Sequence, residues 1–108
     1  MRYKVVLTDH AAQDLADIDG FIGKSDTIER ADYVLGKLEE ALMSLSELPD
    51  RGVYPQELST LGIREFREIF FKPYRIVYRV IGKSVYVYLI ADGRRDMQAL
   101  LRRRLLEM

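Results

Sequence analysis

The chain has no cysteine, which removes a disulfide framework, a thiol nucleophile and a thiolate metal site together and fits a reducing cytoplasm. Histidine is nearly as scarce. His10 is the only one, and at the start of the first expected helix it suits a capping or surface role better than acid–base work. Long apolar runs are also missing: no segment approaches the roughly 20 residues of a membrane-spanning helix, so no membrane partner is expected. The opening MRYKVVLTDH lacks the apolar region of an export signal and reads as a strand, so a cytoplasmic location is expected. There is no internal repeat, low-complexity tract or linker. A length of 108 residues predicts one domain over 1–108, with room for a single core and too little chain for a two-domain cleft. No metal and no cofactor is expected.

What is present is a globular mixture, 48% hydrophobic and 31% charged, with an uneven distribution of charge. Residues 1–60 carry six basic against twelve acidic residues, and residues 61–108 carry eleven basic against five acidic. The zero net charge therefore hides −6 followed by +6. A basic C-terminal part predicts a positive surface for an acidic or nucleic-acid partner.

Local patterns supply the elements. Tyr3, Val5 and Leu7 alternate with polar residues, the signature of a half-buried strand. Thr8 can cap a helix carrying the apolar stripe Ala11, Leu15, Ile18 and Ile22. Lys24–Thr27 reads as a turn, and Asp26 with Glu29 resembles a capping box for a second helix. Its residues Ile28, Ala31, Leu35, Leu38, Leu42 and Leu45 form a seam, best satisfied by an intramolecular helical hairpin. Leu48-Pro49 stops that helix, and Pro49 to Leu61 reads as loop. Ile63 to Arg95 is rich in β-branched and aromatic residues, and breaks at Lys72-Pro73 and Gly82-Lys83 predict a three-stranded antiparallel meander. Gly82 suits a type II′ turn, which pairs Ile81 with Ser84. That register sets Arg75, Val77 and Arg79 against Ile90, Tyr88 and Tyr86 on one face. Tyr74, Ile76, Tyr78 and Val80 then meet Ala91, Leu89, Val87 and Val85 on the other. Asp96 can cap a C-terminal helix, Met97 to Leu106. The predicted class is α+β: an N-terminal strand and a helical hairpin packed on one face of an antiparallel sheet, in the order β-α-α-β-β-β, plus the short C-terminal helix. The arginine–tyrosine face is left for a partner.

Ala12, Leu15, Ile18 and Ile22 after the first strand, the Leu48-Pro49 and Gly52 loop, Ile63-Arg64-Glu65-Phe66-Arg67, Tyr74-Arg75-Ile76-Val77-Tyr78 and Gly93-Arg94-Arg95-Asp96 together resemble the RelE/ParE superfamily of bacterial type II toxins, nearer to ParE. The resemblance implies the toxin of a plasmid-stabilising toxin–antitoxin system, wrapped by an antitoxin encoded beside it, with operator DNA reached only through that antitoxin. It implies one of two activities: poisoning of DNA gyrase, as ParE-type members do, or ribosome-dependent cleavage of messenger RNA, as RelE-type members do. RNA cleavage needs a base for the 2′-hydroxyl, cations for the phosphorane and a proton donor for the leaving oxygen. Carried over by position, the two arginines of a RelE-type site match Arg75 and Arg95, but its strand lysines fall at Phe66 and Glu68 and its tyrosine at Leu101. The RNase set is therefore incomplete, with Lys72, Arg67, Arg79, Tyr86 or Tyr88 as the available replacements, and no catalytic residue is assigned. Expected to bind target or antitoxin are Arg67, Arg75, Arg79, Tyr86, Tyr88, Arg94 and Arg95. An acidic, apolar antitoxin segment could fold onto the arginine–tyrosine face. Whether the assembly is a homodimer or a toxin–antitoxin hetero-oligomer is open at this level.

Overall fold

Side-chain caps and breaks punctuate the chain much as the sequence predicts. The computed structural model describes residues 2–106. They form β1 (Lys4–Leu7), α1 (Asp9–Ser25), α2 (Ile28–Glu47), a short α3 (Gln56–Ser59), β2 (Arg67–Phe71), β3 (Tyr74–Ile81), β4 (Ser84–Asp92) and α4 (Met97–Leu101), which widens into a π-helical segment, Arg102–Leu106. Thr8 Oγ1 accepts the Ala11 N–H at 3.1 Å and starts α1. Thr27, not Asp26, caps α2 by accepting the Arg30 N–H at 2.9 Å, because Asp26 is still engaged in closing α1 through its N–H to the Ile22 carbonyl. Helix α3 falls inside the stretch expected to be loop.

The sheet has the order β1-β4-β3-β2, with β2, β3 and β4 antiparallel and β1 parallel to β4. It is thus mixed rather than purely antiparallel, because the helical hairpin carries the chain from the β1 edge across to the β2 edge. Gly82 adopts φ +61° and Lys83 does not, as a type II′ turn requires, and Ile81 pairs with Ser84 as expected. The expected register holds through Arg79↔Tyr86 and Tyr78↔Val87, then slips by one at a bulge, so that Val77 pairs with Leu89, Ile76 with Ile90 and Arg75 with Ala91.

The slip redistributes the core. One extra residue in β4, Tyr88, reverses the facing of everything after it. Ile90 therefore joins Ile69, Ile76, Tyr78, Val85 and Val87 under the helical pair, where Ala31, Val34, Leu38, Leu42 and Leu45 of α2 cover them. Each buried leucine there contributes about 1.5–3 kcal/mol. Ile28, expected in the seam, is instead 70% exposed in the first turn of α2. Leu89 and Ala91, expected beneath the helices, point the other way. With Val77 they meet Leu58 of α3, Phe66, and Met97 and Leu101 of α4 in a second, smaller core. The sheet face expected to be free is thus half covered.

A candidate binding face and an edge groove

Arg75 stands on the expected face, but its guanidinium is consumed within the protein. Its Nη1 and Nη2 donate to Glu57 Oε2 and Oε1 at 2.9 and 2.7 Å, and its Nε donates to Glu68 Oε1 at 2.7 Å. Only 13% of the Arg75 side chain is exposed, against 27% for Glu57 and 5% for Glu68. The bidentate bond from Arg75 holds the Glu57 carboxyl below its ordinary range, and burial pushes Glu68 up against the opposing pull of the same arginine. Arg75 is in turn held above its ordinary value, chiefly by its bonds to Glu57. Two carboxylates around one guanidinium leave this cluster with a net negative charge when all three are ionised. Gly93 is part of its geometry, since a Cβ there would lie 2.8 Å from Arg75 Cδ.

The other predicted residues fall into three places. Arg67 pairs across the ladder with Tyr78 and so lies on the helical side. There it donates to the Gly52 carbonyl at 2.9 Å and packs 4.7 Å from the Tyr54 ring, clamping the loop before α3. Arg79, Tyr86 and Tyr88 are brought together on the opposite face, each half-buried, with Tyr88 packed against the rim of the second core. Arg79 pairs with Tyr86 and lies 5.9 Å from the Phe66 ring, which meets Tyr88 edge-on at 5.5 Å. Arg94 and Arg95 lie in the turn after β4. Arg94 hooks back to Asp92 at 2.6 Å, whereas Arg95 lines a groove of about 340 Å3 between α1 and β4.

Sequence reasoning missed Asp14, Glu57 and Arg104. Strand β1 covers β4 only as far as Val87. Past that point Asp14 Oδ2 accepts the Ile90 N–H at 3.0 Å, and Arg104 donates to the Tyr88 carbonyl and to Asp14, both at 2.8 Å. An ion pair spanning 90 positions thus stands in for the missing strand. No local pattern marks either partner; Arg104 is simply the one member of the Arg102–Arg104 run that turns inward.

A profile described as the ParE toxin of type II toxin–antitoxin systems, parDE, matches residues 5–97. The chain belongs to the ParE toxin family. Its fold is similar to that of a chain from the chromosomal ParDE toxin–antitoxin system of P. aeruginosa, with a TM-score of 0.71 and 21% identity over 84% of this chain and 96% of that one. It is also similar to a doubly substituted E. coli toxin RelE in the free state, with a TM-score of 0.61 and 19% identity over 97% of this chain and 100% of that one. Among curated proteins, no sequence matches significantly. Membership of this family makes the protein the toxin of a type II toxin–antitoxin system, with a cognate antitoxin as partner. Among the described residues, no helix of this ParE-family toxin is long and apolar enough to cross a membrane.

Proposed function

We propose that this ParE-family toxin acts in the cytoplasm by binding DNA gyrase through the open half of its sheet face, does not itself cleave RNA, and is restrained by its cognate antitoxin. The observation that carries this reading is the Glu57–Arg75–Glu68 cluster. RNA-cleaving relatives are expected to gather positive charge on this face for the scissile phosphate. Here Glu68 occupies a strand-lysine position, and the arginine best placed to help is already neutralised by two carboxylates. A developing phosphorane would meet net negative charge, which opposes rather than stabilises it. Recognition is left to Arg79, Tyr86 and Tyr88, a cation flanked by aromatic rings of the type enriched at binding hot spots. Gyrase as the partner follows from kinship with ParE toxins, and operator DNA is reached only through the antitoxin.

Purified toxin added to a gyrase supercoiling reaction, and in parallel to ribosomes translating a defined message, tests the reading. Lost supercoiling or trapped cleaved DNA with intact message is expected. Cut message with unimpaired gyrase would replace the proposal with ribosome-dependent endonuclease activity resting on Arg75 and Arg95.

A further inference from the structure

Where the turn of the helical pair meets the turn between β2 and β3, the surface dips into a cavity of about 250 Å3. Much of its lining is apolar. Ile22 and Val34 are buried there, and Phe71 and Tyr74 are half-buried. Phe21, a large ring that is 71% exposed, completes this lining. Aromatic faces beside a concave apolar floor are the kind of surface on which a nucleobase stacks.

Three cations reach the same cavity from three elements: Arg30 from the first turn of α2, Lys72 from the β2–β3 turn and Arg94 from the turn after β4. Arg94 is tied to Asp92. Arg30 and Lys72 make no ion pair among the described residues. Aromatic packing positions Arg30 instead, its guanidinium 5.3 Å from the Tyr33 ring, which meets Phe71 edge-on at 6.4 Å. Burial and Asp92 push the Tyr74 hydroxyl up while Arg94 and Arg30 pull it down, so both guanidiniums stand near that ring. The polar remainder of the lining is the Ser25 hydroxyl and the Asp26 carboxylate. With the Arg94–Asp92 pair set aside, two cations face one carboxylate beside a pair of rings. A ligand matching this set carries a flat ring, a small anionic group and hydroxyls that can donate to a carboxylate.

We propose that this cavity binds a free nucleoside monophosphate, with the base against Phe21 and Tyr74, the phosphate held by Arg30 and Lys72, and sugar hydroxyls donating to Asp26. The volume has room for about one base and its sugar, which suits a single nucleotide rather than a strand. None of these residues belongs to the Arg79–Tyr86–Tyr88 face, and the site depends on neither the gyrase nor the antitoxin reading.

The test titrates AMP, GMP, CMP and UMP calorimetrically, at low salt, into the purified full-length chain, with the matching nucleosides and inorganic phosphate as partial ligands. Saturable one-to-one binding of at least one monophosphate is expected, with its nucleoside and phosphate alone each about tenfold weaker or more. Phe21→Ala and Arg30→Glu, both at exposed positions, should each weaken that monophosphate about tenfold. Lys83→Glu, at the opposite end of the sheet, should leave its affinity unchanged. No saturable heat from any of the four at millimolar concentration overturns the proposal, as does wild-type affinity in both Phe21→Ala and Arg30→Glu. Phosphate binding as tightly as the nucleotide would reduce the site to an anion patch and overturn it too. A short single-stranded oligonucleotide binding more tightly than every monophosphate would overturn the free ligand in favour of a strand. Each of these results leaves the toxin–antitoxin reading intact.

Discussion

Arg75 illustrates how a residue conspicuous in sequence can be spent on holding the structure together. It ties α3 to β2 and β3 through two carboxylates, so replacing it strands Glu57 and the buried Glu68 together. Arg75→Met is expected to destabilise the protein by about 3–5 kcal/mol, read as a lower midpoint in urea unfolding. The two carboxylates should respond to acid in opposite directions. Glu57 has a folded pKa below its ordinary 4.5, so it contributes stability above that value which is lost as pH falls through the depressed folded one. Glu68 has a folded pKa above 4.5, so its ionisation costs stability as pH rises from 4.5 through that raised value. Glu57→Gln should therefore flatten the acid limb of stability against pH, whereas Glu68→Gln should remove the gain on mild acidification; urea titrations across pH distinguish them. Tyr78 is a second such residue. Its buried hydroxyl donates to the Pro49 carbonyl at 2.7 Å and accepts the Gly52 N–H at 3.0 Å, and a Cβ on Gly52 would lie 2.6 Å from that oxygen. Tyr78→Phe orphans both backbone groups and should lower unfolding stability by about 1–3 kcal/mol.

Among the elements, β4 decides most. Its bulge turns Leu89 and Ala91 toward α4 and Ile90 toward α2, so both faces of one strand are buried. Its outer edge outruns β1, and the Asp14–Arg104 pair fills part of the gap while anchoring the π-helical segment to α1. Asp14→Ala removes the acceptor of the Ile90 N–H and the partner of Arg104 at once. It is expected to cost about 1–3 kcal/mol and to speed amide exchange in Arg102–Leu106, since that segment makes few other contacts with the body of the protein. Equal exchange rates in the variant and the parent would show that α4 alone holds the segment.

For the whole molecule, the layers separate two surfaces. The helical pair, the sheet and the smaller α3–α4 layer enclose two cores, leaving Arg79, Tyr86 and Tyr88 on one surface and the β4 edge groove on another. Arg79 makes no ion pair among the described residues, and its aromatic contact is partly solvated. Arg79→Glu is therefore expected to leave the melting temperature within about 2 °C of wild type while removing gyrase inhibition in the supercoiling assay. Undiminished inhibition by this variant would place the target contact elsewhere.

The sequence by itself determined the strands and the two long helices, the Thr8 and Asp96 caps, the Gly82 turn and the α+β class, because these depend on side-chain periodicity and on residues within a few positions of one another. It also carried the family, through strand and turn motifs that survive as local strings. Only the tertiary structure decided which face each arginine serves. Arg67 lies under the helical side because of its pairing with Tyr78, Arg75 is neutralised by residues 18 and 7 positions away, and Arg104 meets Asp14 across the whole chain. A guanidinium looks the same in sequence whether it is free or paired. Its availability is set by carboxylates that folding brings within hydrogen-bonding distance, and one extra residue in β4 was enough to change which side chains share a face.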